Sequence, residues 1–191
     1  RILCRILQRP SSFRGRSASS FDRRSCPCTC HHQRAPDSFR VKTLRTKDTM
    51  RNMIENTEKS LTITGYSISD YFAEMLDIII KKSQQGVYVR IYVNDIEKQK
   101  EALDRLMSYR SRFLQIYEYQ KQEDDKMAAL HAKLIVSDVK RSLVSSANLS
   151  YHGMQGNIEM GFLIESHDKA KQIEEVMKKM VRMKVFSKLR E

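Results

Sequence analysis

Beyond residue 30 the chain has no cysteine, so the bulk of it can carry neither a disulfide nor a cysteine metal site. That composition suits a reducing compartment, and the cytoplasm is the expected location. There is no apolar run of the ~18–20 residues that a membrane span requires. The best stretch, Met75 to Ile80, is broken by Asp77. No internal repeat and no low-complexity segment occurs after residue 41, which excludes solenoid and disordered readings there. What remains is a 191-residue chain of ordinary globular composition, 40% hydrophobic and 30% charged, long enough for one domain plus a tail.

Charge is unevenly spread. Residues 1–40 hold nine Arg, no Lys and only Asp22 and Asp37, a net of +7, whereas 41–191 hold 26 basic and 21 acidic residues, a net of +5. The basic, Ser-rich segment attracts nucleic acid or anionic lipid if it binds anything. A solvated tail, an organelle-targeting segment and residues foreign to the domain are its other readings. Cys26, Cys28, Cys30, His31 and His32 lie close together in it, but no second ligand pair follows, so zinc is not expected. The folding unit is therefore read as 41–191.

Within it the periodicities alternate. Residues 46–58 read as a helix with Thr46 as N-cap, and Leu61 to Tyr66 as a strand. Ser69 caps a second helix that ends before Gly86. Val87 to Val93 is a β-branched and aromatic strand, 96–109 a helix, and Phe113 to Tyr119 another strand. Strands at about 130–137, 142–147 and 157–165 follow. A last helix, about 168–185, carries Ile173, Val176, Met177, Met180, Val181 and Val185 on one stripe. The predicted fold class is α/β, an α/β/α sandwich around a mixed, mostly parallel sheet of about six strands.

Chemistry concentrates between Leu130 and Ile164. Strand alternation places His131 and Lys133 on one face, and a turn at Asp138-Val139-Lys140-Arg141 returns Ser146 and Asn148 beside them. An imidazole, an ammonium, a hydroxyl and a carboxamide at one sheet edge suit displacement at a phosphodiester: a nucleophile, charge compensation and neutral donors. Glu159 on the next strand is placed to accept from the other ring nitrogen of His131. No second carboxylate pairs with these groups to suggest a magnesium site, so no metal or other cofactor is expected. Lys133 is read as an exposed cleft residue that adds little to the core.

The spacing His131-x-Lys133-x₄-Asp138-x₆-Ser145-Ser146-x-Asn148, continuing through Gly153, Asn157 and Glu159 to Gly161, resembles the HKD motif of the phospholipase D superfamily. The resemblance implies that His131 forms a covalent phosphohistidine, that Lys133 and Asn148 bind the phosphate with support from Ser146, and that Glu159 orients His131. Asp138 is implied to be a structural hydrogen-bonding residue. The family usually has Gly at the position of Ser145, which adds a Cβ but removes no reacting group. Family active sites use two such motifs and this chain has one complete copy, since His152 lacks a Lys two residues on and His167-x-Lys169 is followed by neither the Asp nor the Ser-x-Asn of the motif. The resemblance therefore implies a C2 homodimer that shares one active site.

The expected function is a metal-independent phosphodiesterase, specifically a nuclease, on grounds of small size, basic charge and the lack of an interfacial apolar helix. A phospholipid phosphodiesterase and a non-catalytic nucleic-acid-binding module are the alternatives. Tyr88, Tyr92, Tyr117 and Tyr119 could stack on bases, although strand tyrosines are ordinarily core.

Overall fold

The computed structural model describes residues 2–4, 45–121 and 127–189. The cysteine–histidine cluster at 26–32, and all of the basic tail except Ile2–Cys4, lie outside the described residues. The elements in chain order are β1 (Ile2–Cys4), α1 (Thr46–Glu55), β2 (Ser60–Gly65), α2 (Ala73–Gln84), β3 (Tyr88–Val93), α3 (Lys100–Ser108) and β4 (Leu114–Tyr119). They continue with β5 (Lys133–Ser137), β6 (Arg141–Ser145), β7 (Gly161–Glu165), α4 (His167–Arg182) and β8 (Phe186–Lys188).

One sheet gathers all eight strands in the order β1-β7-β6-β5-β2-β3-β4-β8. Alternating apolar residues make both faces sticky, and helices cover both. On one face α1, α2 and α3 pack Met53, Leu76, Ile79 and Leu103 against Leu61, Ile91 and Ile135. On the other face Met177 of α4 meets Tyr92, Tyr117, Leu130 and Phe186. Tyr92 and Tyr117 stack on each other with ring centroids 4.8 Å apart, so these two are core and not base platforms. Burial pushes both phenols above their ordinary range.

The α/β/α sandwich is as expected, but the sheet is not mostly parallel and has eight strands rather than about six. Only β2–β3 and β3–β4 pair in parallel, and each of these neighbouring pairs is joined by a helical crossover, α2 and α3. β5, β6 and β7 form an antiparallel meander that docks on β2. β1 and β8 add antiparallel edges on β7 and β4.

The last helix is shorter than its apolar pattern. It stops at Arg182 because Lys184 turns to φ 59°, and Val185 N–H bonds to Met180 O (2.9 Å) while Lys184 N–H bonds to Val181 O (3.0 Å). That is a Schellman ending with lysine where glycine is usual. Its buried line runs through Ala170, Glu174 and Met177, while Val176, expected on the stripe, is 52% exposed. Glu174 is buried because it pairs with Arg90 of β3 at 2.6 Å. Two cap expectations also differ: Arg45, not Thr46, is the α1 N-cap, and Ser69 opens a short 3₁₀ turn with its carbonyl, which accepts from Phe72 N–H at 2.8 Å.

Candidate active site

The parallel strands β2, β3 and β4 end on the same side of the sheet at which β5 begins, since Ile63 pairs with Ile135 in antiparallel register. Crevices beyond the carboxyl ends of parallel strands are the usual ligand sites of such sheets. β6 ends there and β7 starts there, with Ser145 opposite both Lys133 and Gly161. His131, Ser146, Asn148 and Glu159 therefore meet at one edge, each just outside a strand.

That placement corrects the expected strand limits. β5 starts at Lys133, not near 130, because side chains tie down the preceding backbone. Leu130 N–H donates to Asn94 Oδ1 (2.8 Å), and Ala132 O accepts from Thr64 Oγ1 (2.6 Å). The alternation argument thus fails at His131. Its side chain is exposed, while Lys133 is buried at 6% exposure, contrary to the exposed cleft lysine expected. Likewise β6 stops at Ser145 and β7 starts at Gly161, so Ser146 and Glu159 lie on connecting segments.

Lys133 Nζ donates to the carbonyl of His131 over 2.8 Å. Burial lowers the Lys133 pKa from the ordinary lysine value, and the charge of Glu159 works against that shift. Tyr66, one residue past β2, touches both motif residues. Its ring meets the His131 ring edge-on at 5.0 Å, and Lys133 Nζ lies 5.4 Å from its centroid.

Glu159 is buried, and both of its oxygens accept hydrogen bonds. Ser146 Oγ donates to Oε2, and Asn157 Nδ2 donates to Oε1 over 3.2 Å. Its partners are thus Ser146 and Asn157, and the expected bond to the His131 ring is not among the described contacts. Ser146 Oγ in turn accepts from Met160 N–H at 3.1 Å. Asn148 contributes a buried carboxamide oxygen with no hydrogen-bond partner among the described residues, an uncompensated polar atom at the edge where His131 sits. Gly153 packs directly on its backbone, where a Cβ would lie 2.2 Å from Asn148 O.

Asp138 stands apart from this edge, at the far end of the β5–β6 hairpin. Asp138 and Val139 both adopt positive φ, 54° and 53°, as a two-residue primed turn demands. The Asp138 carboxylate accepts from the backbone N–H groups of Glu58, Lys59 and Ser60 at 2.7–3.2 Å. Burial pushes its pKa up, but those three donors and the Lys140 charge outweigh it and hold the group below the ordinary carboxylate value. It ties the hairpin to the start of β2 and is structural.

A family model described as "Cardiolipin synthase, PLD-like domain" matches residues 50–181. The chain belongs to the phospholipase D-like family. A curated relative, the DISARM protein DrmC of Bacillus paralicheniformis (strain ATCC 9945a / NCIMB 11709 / CD-2), is 30% identical over 156 residues. That alignment covers 81% of this chain but 63% of the relative, so the chain spans less than two thirds of its length. Among solved structures, NucT from Helicobacter pylori superposes with a TM-score of 0.61 at 17% identity, covering 71% of this chain and 87% of NucT. Nuc from Salmonella typhimurium, a phospholipase D family member, gives 0.62 at 14% identity, covering 76% and 91%. Both likenesses are of fold.

Of the residues singled out from the sequence, His131, Lys133, Ser146, Asn148 and Glu159 gather at this sheet edge. Tyr66, Asn94 and Gly153 were not assigned a role beforehand. The usable signal for Tyr66 was its place just after Gly65, at the carboxyl end of a parallel strand. No group of three or more His, Cys, Asp or Glu side chains lies within metal-ligating distance among the described residues. No described helix is long and apolar enough to cross a membrane.

Proposed function

We propose that the protein is a metal-independent phosphodiesterase acting on nucleic acid through a covalent phosphohistidine, in an active site shared by two copies of the chain. The observation that carries this reading is the exposed His131 imidazole beside the buried Lys133 ammonium at the sheet edge where Asn148 also lies. A ring nitrogen of His131 attacks phosphorus, and the bond from phosphorus to the leaving oxygen breaks. That oxygen takes its proton from the imidazole supplied by the second copy. Water then attacks the phosphohistidine, gives its proton back to that second imidazole, and frees His131. Lys133 and the Asn148 amide offset charge on the non-bridging oxygens. Ser146 and Asn157 hold Glu159, and Glu159 supports the cationic side of the site. The unit that does this is residues 41–191, with Ile2–Cys4 of the basic tail added to its sheet edge as β1 and the cytoplasm as its setting.

Nucleic acid is favoured by the net +5 charge of residues 41–191. The family description keeps a phospholipid as the second reading. Both are tested by incubating wild type and His131→Asn with single-stranded DNA, duplex DNA, RNA and phosphatidylcholine vesicles in EDTA. EDTA-resistant cleavage of a nucleic acid, lost in His131→Asn, is expected, as is ³²P on His131 after acid quench. Head-group release from vesicles alone would move the substrate to lipid. Tight nucleic-acid binding with no product in any arm would leave a binding module.

A further inference from the structure

Two residues past the Leu149 backbone a second group of rings stands at the surface. Tyr151 is 49% exposed, and its ring meets Tyr71 edge-to-face at 5.3 Å and 87°. The ring of His152 also meets it edge-on, at 5.5 Å. Tyr71 is itself held by Lys47, whose Nζ lies 5.0 Å from its centroid and 3.4 Å from its hydroxyl. The acids beside Lys47 on α1 and α2, Asp48 and Glu74, are engaged by Arg45 and Arg51, so the Lys47 charge is not cancelled by them.

This group is fastened to the catalytic edge. Leu149 N–H bonds to Ser67 O (3.1 Å) and Ser69 N–H to Leu149 O (3.0 Å), so 148–150 runs parallel to 67–69. Tyr66 and Asn148 lie at one end of that pair of segments, and Tyr71 and Tyr151 at the other. Tyr151 follows Asn148 by three positions, so their Cα atoms are at most about 11 Å apart. Beyond them a π turn, His152–Gly156, is pinned by Asn157 N–H to His152 O (2.7 Å).

We propose that Tyr151, backed by Tyr71 and Lys47, is a stacking subsite for an unpaired base next to the phosphate held at His131. The proposal rests on the nucleic-acid reading above and narrows it to single strands. An exposed ring with a fixed back is what a base needs, and a neighbouring ammonium suits the flanking phosphate. A duplex keeps its base faces stacked and cannot use the ring.

The test measures fluorescence anisotropy of a labelled oligothymidylate of about ten nucleotides, a length within single-strand site sizes, and of a labelled duplex. Both are titrated with full-length His131→Asn protein, alone or carrying Tyr151→Ala or Tyr151→Phe. Tyr151→Ala should weaken oligothymidylate binding about tenfold, Tyr151→Phe should restore it to within about twofold, and duplex affinity should be the same in all three. Equal oligothymidylate affinity in Tyr151→Ala would overturn the subsite while leaving the nucleic-acid reading intact. Parallel losses for both probes, or a change in sedimentation mass, would overturn it in favour of a structural or subunit-contact role. Failure of the parent protein to bind either probe would bring down both readings together.

Discussion

The Lys133 ammonium donates to the carbonyl oxygen of His131 across 2.8 Å, so the two motif residues are tied to each other before any ligand arrives. The cost is a cation held at 6% exposure. Because burial sets its folded pKa below the unfolded value, the unfolded chain binds the extra proton more readily. Stability from this group is complete above the unfolded lysine value and is lost as pH falls through the folded one. Lys133→Met should therefore match or exceed wild type in thermal stability at pH 7 while losing at least about 100-fold in activity. The difference in unfolding free energy between the two proteins should shrink as pH rises toward the lysine range. Taking the difference cancels the opposing loss from Tyr92, whose raised phenol makes the native state weaker at high pH.

Asp138 supplies a stability term of the same pH sense in the acid range. Its folded pKa is depressed, so its contribution is present at neutral pH and fades as pH falls through that depressed value. Asp138→Asn replaces charge-assisted bonds to three backbone donors with weaker neutral ones and should cost about 2 kcal/mol at pH 7. Urea melts should show that gap closing below the ordinary aspartate range. A gap that stays constant at low pH would mean that the loss is one of packing and not of charge.

Gly153 is needed for space. An added Cβ would meet the Asn148 carbonyl oxygen at 2.2 Å and its nitrogen at 2.6 Å, and backbone cannot swing away as a side-chain tip can. Gly153→Ala should retain the far-ultraviolet circular dichroism of wild type while activity falls about 100-fold through a displaced Asn148. Unchanged turnover would show that Asn148 does not need its present position.

Regular alternation made β2, β3 and β4 and their helices legible, and the turn at Asp138 was visible although Val139 is a poor residue for positive φ. The edge strands were not. β8 follows a helix ended by Lys184 with no glycine or proline to signal the stop, so Val185 looked like one more turn of helix. The late start of β5 depends on Asn94 and Thr64, residues 36 and 68 positions away, which no local pattern contains. The motif residues were readable by type and spacing. The burial of Lys133, the contact of Tyr66 and the partners of Glu159 all required the third dimension.

Lys184 offers a stability test far from the chemistry. An L-residue in the left-handed region carries about 1–2 kcal/mol of strain that glycine avoids. Glycine gives back part of this in unfolded-state entropy. Lys184→Gly should raise the melting midpoint by an amount equivalent to about 0.5–1 kcal/mol, because the Schellman bonds to Met180 and Val181 use only backbone atoms and survive the change. A lower midpoint would show that the lysine side chain stabilises this end of α4.

The shared-site reading makes a quantitative demand on mixed subunits. If each reaction needs one imidazole from each of two chains, a pair with one His131→Asn subunit is dead. Wild-type and His131→Asn chains, unfolded together and refolded at equal amounts, form all pairs at random, and only about a quarter are wild type in both halves. Total activity should then fall to about a quarter of that from the same total of wild-type chains, and follow the square of the wild-type fraction as the ratio is varied. A site complete within one chain would instead give half the activity and a straight line. Since the chain holds a single complete motif, the one that begins at His131 and Lys133, a straight line with EDTA-resistant turnover would force the leaving-group proton to come from another residue of the same chain. The exposed His152, which opens the π turn just beyond Asn148, would be the first to replace.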